Sequence, residues 1–322
     1  MENQENSDIE SINTFTEMTT EDDQAGIWGR FTSVEYDYAG LMNVIFLVGI
    51  FLVAKYIFKS FILSDKRRGK KTADNVAYAI SSFAFFVSLA LILTSVGYGD
   101  VTSTWFEGAV KTLTYAGLAI VLLIITGLIF DKITLHQFSL NKQIAEGNIA
   151  AGIADAGNFI SAALIISSSL RWQEFKQADA IIAILGIYIA SQILLILSTY
   201  IRIMLFNDKK KSIYFHDQIK QNNVAVAIDF AGRRVGTALA ITAATNLLSY
   251  QNSITLSEVL AEWLSVAVIL LLALNILSWI TSKIVYWGKD IYQDTLKRNV
   301  SSALGDVAIY VSFGIILANC LY

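Results

Sequence analysis

The 322-residue sequence contains no proline, one cysteine and two histidines. A lone cysteine, Cys320, excludes an internal disulfide, and His136 and His216 are too few for a histidine-rich metal site. The absence of proline excludes collagen-like chains and proline-rich linkers. Metalloprotease, P-loop and serine-hydrolase motifs are also missing, so we expect a protein that is not an enzyme and that uses no metal and no cofactor.

Charged residues are scarce as well. They make up 16% of the chain, whereas 55% is hydrophobic and the mean hydropathy is +0.54. This balance indicates a lipid bilayer rather than water as the solvent. Eight apolar stretches each approach the roughly 20 residues that a helix needs to cross the hydrocarbon core. The sequence therefore predicts an all-α polytopic membrane protein with eight transmembrane helices, over residues 41–64, 75–97, 107–130, 148–168, 179–206, 223–249, 258–286 and 299–321.

Charge is unevenly distributed along the chain. Residues 1–40 hold ten acidic residues and only Arg30, and their low hydrophobicity predicts a largely disordered tail. Most of the 24 Lys and Arg residues flank the ends of the first, third, fifth and seventh stretches, so the positive-inside rule predicts that both termini are extracytoplasmic. One basic loop is predicted to contact anionic lipid head groups rather than nucleic acid, through Lys66, Arg67, Arg68, Lys70 and Lys71.

A short motif recurs four times along the chain. It reads Asn, then Val or Ile, then Ala or Ser, and it begins at Asn75, Asn148, Asn223 and Asn299. Each copy follows a long apolar stretch and a polar loop, and it opens a second stretch that is rich in small residues. The spacing between successive asparagines is nearly constant, which indicates internal duplication. The sequence therefore predicts four repeats of two helices each.

One segment resembles a known family. FDKITLHQFSLNKQIAEGNIAAGIADAGNFISAALIISSSL at residues 130–170 is similar to the "domain of unknown function 350" family of bacterial inner-membrane proteins. Because those domains are four-helix units, the resemblance implies two tandem membrane domains, at 41–170 and 171–322, behind the tail at 1–40. It also implies the bacterial inner membrane as the location. The family brings no established activity.

The repeated asparagines have two interpretations. Each lies where a helix starts, and asparagine is among the best N-caps for the unpaired backbone N–H groups found there. Alternatively, the four side chains converge on a symmetry axis and line a polar pathway, since internally repeated transporters place their sites where repeats meet. The sequence leaves both open.

Charged residues within the predicted spans form a second candidate site, besides the four asparagines. Asp155 and Asp306 each lie seven residues after their asparagine, which returns them to the same helix face about 10 Å deeper. Arg234 lies near the predicted midplane, and Asp229 and Arg233 are spaced to pair within one helix. Because charges in lipid are costly, they belong either to structural ion pairs or to an ion, proton or solute pathway.

Small residues mark the predicted helix interfaces. Gly152 and Gly157 fall in an alanine-rich helix, and Gly232 and Gly236 form a GxxxG pattern in another. Small residues let helix backbones approach closely in lipid. We expect the even-numbered helices to form the interior and the leucine-rich odd-numbered helices to face lipid. A homo-oligomer is compatible with this arrangement.

The sequence is compatible with two functional hypotheses. The leading hypothesis is transport or permeation of a small ion, proton or polar solute. The alternative is a non-transporting membrane scaffold or envelope-stress component that binds lipid head groups or a cytoplasmic partner. The segment TSVGYGD at 94–100 resembles a potassium-channel filter, but it ends a full-length predicted span, so we expect no potassium filter.

Overall fold

The computed structural model describes residues 45–54, 56, 74–97, 105–174, 177–207, 213–248 and 255–320. Chain contacts separate Met1–Phe46, of which only residues 45 and 46 are described, from a compact unit that begins at Leu47. The described chain is mainly helical. Its α-helices are α1 (Ile45–Ala54), α2 (Val76–Gly97), α3 (Trp105–Ile129), α4 (Leu140–Ala145), α5 (Ile149–Leu170), α6 (Gln177–Phe206), α7 (Phe215–Lys220), α8 (Val224–Leu247), α9 (Leu256–Val285), α10 (Ile291–Leu296) and α11 (Val300–Cys320).

Six of the described helices are long and apolar enough to cross a membrane. They are α2, α3, α5, α6, α9 and α11, so the protein is an all-α, multi-pass membrane protein. Helix α8, at the sixth predicted span, has 24 residues but carries Asp229, Arg233 and Arg234. The first predicted span is described only in part, as α1. Residues 98–100, the last three of the filter-like segment, lie outside the described residues, and its first four residues end helix α2.

Four helices pack side by side in chain order, as a row of α2, α5, α8 and α11. The outer helices lie against this row: α3 contacts α2 and α5, α6 contacts α5 and α8, and α9 contacts α8 and α11. Most of α5 is buried, whereas α6 and α9 expose many Leu and Ile side chains. The two middle helices of the row, α5 and α8, are thus inside, while α2 and α11 form its ends and the leucine-rich helices present apolar surface outward.

Glycines lie at the seams between neighbouring helices of the row. A Cβ atom added at Gly152 would lie 2.5 Å from the backbone oxygen of Ala77. One added at Gly157 would lie 2.6 Å from the Cα atom of Ala231. At Gly232 and Gly236 it would overlap the side chains of Val307 and Tyr310, respectively. At all three seams of the row, a glycine therefore lies where a larger side chain would overlap the neighbouring helix.

Three of the four long helices in the row start from the same local structure. A six-residue helix ends at a residue with positive φ, which is Gly147, Asn222 or Arg298, and the motif asparagine follows. The asparagine N–H then bonds back to the short helix, as in Asn148 N to Gln143 O at 3.0 Å. This left-handed turn is a common way to end a helix. It reverses the chain and fixes where the next long helix begins.

Candidate functional site

The motif asparagines cap the helices that follow them. The Oδ1 atom of Asn148 accepts from the N–H of Ala151 at 3.1 Å. Asn75, Asn223 and Asn299 make the equivalent bond to the third residue after them, at 3.0, 3.3 and 3.2 Å. Each side chain thereby satisfies one of the unpaired donors at a helix start.

The side-chain amides of the first three asparagines also reach into the next repeat. Nδ2 of Asn75 donates to Ile144 O at 2.8 Å, and Nδ2 of Asn148 donates to Ile219 O at 2.8 Å. Asn223 makes the corresponding bond to Thr295 O at 3.3 Å. Among the described residues, no hydrogen bond joins two of the four asparagines. They link consecutive repeats, and a role for them in a polar pathway stays a prediction.

Replacing Asn148 with aspartate separates these two bonds. The carboxylate still caps α5, but it loses the donor to Ile219 O, which keeps only its bond from the N–H of Asn222, and it brings a negatively charged oxygen close to that carbonyl. We expect the free energy of unfolding to fall by about 1–2 kcal/mol. Chemical denaturation in detergent measures the loss. The matched control is Asn299→Asp, because Asn299 lies in the last repeat and is exposed; equal losses at both positions would contradict the link between repeats.

The two acids that follow their asparagines by seven residues line separate cavities. Asp155 accepts a hydrogen bond from Ser81 on α2 and is buried. It lines a cavity of about 150 Å³ together with Asp131 and Phe159. Asp306 lines a cleft of about 950 Å³ in the second half of the chain. Equivalent positions of the two halves therefore place an acid beside a cavity, and within the described ranges the cavity in the second half is the larger one.

Arg233 joins two acids in the larger cleft. Its Nε atom lies 2.6 Å from Asp229 Oδ1, as the spacing of four residues predicted. Its Nη2 atom forms an ion pair with Asp306 on α11. The Oγ atom of Ser282 on α9 donates to the other oxygen of Asp306. Three helices thus share one charged cluster, and Asp306 is only 4% exposed.

A second arginine lies beside this cluster. Arg202 on α6 donates through Nη2 to Asn275 at 3.3 Å and to the hydroxyl of Tyr310. Its Cζ atom lies 4.3 Å from the centre of the Tyr310 ring, and that of Arg233 lies 5.3 Å from it. Cations over an aromatic face are stabilised by the ring quadrupole. Tyr310 therefore holds two guanidinium groups that would otherwise repel each other.

Arg234 points to a different seam. Its Nη2 atom donates to Asn158 at 2.9 Å and its Nη1 atom donates to Thr199 at 3.0 Å, while the guanidinium lies 4.8 Å from the centre of the Phe130 ring. It is buried, and no carboxylate of the described residues forms an ion pair with it. The five predicted intramembrane charges thus occupy three separate seams rather than one continuous path.

The two histidines meet outside the membrane spans. Their ring centres lie 5.7 Å apart, and His216 is buried with Nε2 3.4 Å from Thr134 O. Sequence spacing gave no sign of this contact, because the two histidines stand at different distances from their asparagines. No group of three or more metal-ligating residues occurs among the described residues.

Acidification should destabilise the protein through His216. Burial lowers the pKa of His216 from its ordinary 6.5. As the pH falls through about 6.5, His216 becomes protonated in the unfolded chain but stays neutral in the folded chain. The free energy of unfolding therefore decreases. Unfolding midpoints measured between about pH 5 and pH 7.5 test this. His216→Gln should remove part of the slope, and an unchanged slope would contradict the assignment.

The sequence matches a known protein family along most of its length. The model for "Domain of Unknown Function (DUF350)" matches residues 31–170, 104–213 and 177–321. The chain belongs to the DUF350 family. The middle match overlaps both of the others and is displaced by about one two-helix repeat, so the family pattern recurs in steps of two helices along this DUF350 protein.

A relative of the DUF350 protein agrees with its membrane location. The chain is 23% identical over 200 residues to a "UPF0719 transmembrane protein" of Aquifex aeolicus (strain VF5), which covers 61% of this chain and 70% of the relative. No solved structure matches the chain. The protein is therefore a membrane-embedded, multi-pass member of a family whose description states no activity.

Some predicted site residues of the DUF350 protein do not belong to the cavities and charged clusters described above. The predicted head-group contacts Lys66, Arg67, Arg68, Lys70 and Lys71 lie outside the described residues. Conversely, the sequence gave no reason to single out Arg202, Asn275 or Tyr310, because Arg202 comes from the third repeat and the other two come from different helices of the fourth, at positions that do not correspond. Only their shared place around Asp306 marks them.

Proposed function

We propose that this DUF350 protein transports or conducts a small ion, proton or polar solute, using the large cleft as its binding site. The observation that carries the proposal is the cluster of Asp229, Arg233 and Asp306 on the wall of that cleft. Charges within a spanning segment are costly and are commonly retained for a pathway. A cleft of about 950 Å³ also falls within the range of small-molecule sites.

The proposal includes eight spans in the bacterial inner membrane, with both termini extracytoplasmic. Helices α1 and α8 would complete the six apolar spans, and the distribution of basic residues supports the orientation. Reporter fusions at the N-terminal tail, at Lys209 and after Tyr322 test it. A cytoplasmic tail would reverse the assignment of every loop.

A flux assay on purified protein in liposomes tests transport. Wild-type protein should raise the flux of at least one ion, proton or small polar solute above that of empty liposomes. Asp306→Asn keeps the shape of the side chain but removes its charge, so the flux should fall at least tenfold while the protein stays folded. Lys142→Gln, on an exposed side chain far along the chain from the cleft, is the control. Absence of flux for all solutes tested would overturn the proposal.

A second candidate function is a membrane scaffold that binds lipid head groups or a cytoplasmic partner. It is favoured by exposed basic residues around α10, namely Lys283, Lys289, Lys297 and Arg298. Such clusters attract anionic head groups by about 1 kcal/mol per charge. Loss of a cellular phenotype on neutralising these four residues, in a protein without flux activity, would select this function.

A further inference from the structure

The cleft has unused hydrogen-bonding capacity in its wall. Arg202 and Ser278 both line it, and Nη1 of Arg202 and Oγ of Ser278 are buried without a hydrogen-bond partner among the described residues. Ser278 is only 4% exposed. A buried donor without an acceptor is unfavourable, and native proteins leave few of them. Both groups are satisfied if a ligand brings oxygen acceptors into the cleft.

The charge balance of the cleft favours an anion. Asp229 and Asp306 are both paired with Arg233, which leaves Arg202 without an ion pair of its own. At the rim, Lys283 and Lys289 line the same cleft, are exposed, and form no ion pair within the described part of the chain. Asp290, also at the rim, caps α10 through the N–H of Gln293 at 3.1 Å and keeps its negative charge, so the lining holds four cationic and three acidic side chains.

The remaining wall is apolar and open to the outside of the bundle. Leu205, Ile276 and Trp279 line the cleft and are 75%, 55% and 64% exposed. They belong to the two outer helices α6 and α9, which present apolar surface outward. A free inorganic anion gains nothing from such a wall, whereas an acyl chain buries about 25 cal/mol per Å² of apolar surface against it.

We propose that the cleft binds an anionic lipid through its phosphate-type head group. Arg202 and Ser278 donate to the head-group oxygens, while Lys283 and Lys289 attract the head group at the rim. The acyl chain lies along Leu205, Ile276 and Trp279. This inference uses the same cleft as the proposed function, but the lipid is a partner held in the wall of the cleft and not the small solute that is transported.

Native mass spectrometry of the full-length protein in detergent tests the proposal. The probes are phosphatidylglycerol, phosphatidylcholine with the same acyl chains, and inorganic phosphate. We expect phosphatidylglycerol to bind at least tenfold more tightly than phosphatidylcholine. The double variant Lys283→Gln/Lys289→Gln, which changes only exposed side chains, should lose most of this preference, and Ser278→Ala should weaken binding severalfold. The control Lys142→Gln/Lys220→Gln removes the same charge from two other short helices and should bind like wild type.

Each other outcome overturns part or all of the proposal. Equal binding of both lipids, or equal loss in the control variant, rules out a head-group site in the cleft. Displacement of phosphatidylglycerol by inorganic phosphate, with no dependence on an acyl chain, shows that the ligand is a free anion. The flux assay keeps the two proposals apart: flux without selective lipid binding overturns only the lipid site, and lipid binding without flux overturns only transport.

Discussion

Replacing Arg233 with methionine should lower the free energy of unfolding by about 2–4 kcal/mol. The substitution keeps much of the side-chain volume but leaves Asp229 and Asp306 without their shared cation, and stranding a buried charge costs about 3–5 kcal/mol. We expect a loss about 1 kcal/mol smaller than that, because Arg233 and Asp229 are 30% and 28% exposed in the cleft and water screens part of the charge. Chemical denaturation in detergent, monitored by circular dichroism, measures the loss.

The matched variant removes the whole charged cluster. Arg233→Met combined with Asp229→Asn and Asp306→Asn leaves no charge stranded, and replacing a complete buried ion cluster by neutral side chains is often nearly neutral for stability. The triple variant should therefore regain most of the stability that the single variant loses. A single variant as stable as wild type would show that the two acids are solvated, and that the cluster contributes nothing to packing.

Replacing Gly157 with alanine should destabilise the protein by about 3 kcal/mol, at the upper end of the range for overpacked cores. The added Cβ would lie 2.5 Å from Ala231 Cβ and 2.6 Å from Ala231 Cα. The second of these atoms belongs to the backbone of α8, so a rotamer change cannot relieve the overlap. Helices α5 and α8 would have to move apart.

Gly117→Ala supplies the control for this seam. Gly117 lies within helix α3, and an added Cβ there meets nothing within 4 Å. The same substitution should leave stability unchanged or raise it by up to about 1 kcal/mol, since alanine favours helix over glycine. Thermal unfolding of both variants in one detergent makes the comparison. If both lose the same stability, close contact across the seam between α5 and α8 is not what Gly157 provides.

Local features of the fold could be predicted from the sequence. The starts of α5 and α8 follow from a capping asparagine and the apolar run after it, and both signals lie within a few adjacent residues. The pair of Asp229 and Arg233 follows in the same way from a spacing of four residues on one helix. The repeated period then indicates that what holds for one repeat holds for its neighbours.

Contacts between repeats could not be predicted in this way. The amide of Asn148 bonds to Ile219 O, 71 residues away, and a carbonyl group carries no sequence signal. Tyr310 meets Arg202 although the two lie 108 residues apart in non-corresponding positions. The partner of Asp155 could not be predicted either. Asp155 occupies the position equivalent to Asp306, but it accepts a hydrogen bond from Ser81 instead of pairing with an arginine. Which partner an acid finds is decided by packing across the row.

The open row of α2, α5, α8 and α11 has a consequence for the size of such proteins. Through their side-chain amides, Asn75, Asn148 and Asn223 each bond to the repeat that follows, and within the described residues these bonds join only neighbouring repeats. A chain could gain or lose one repeat without disturbing the bonds that remain. If a repeat holds two membrane-crossing helices, as in the eight-span topology proposed above, the end of the chain would stay on its original side of the membrane. The same construction therefore permits shorter and longer proteins, differing by pairs of helices, that keep their orientation.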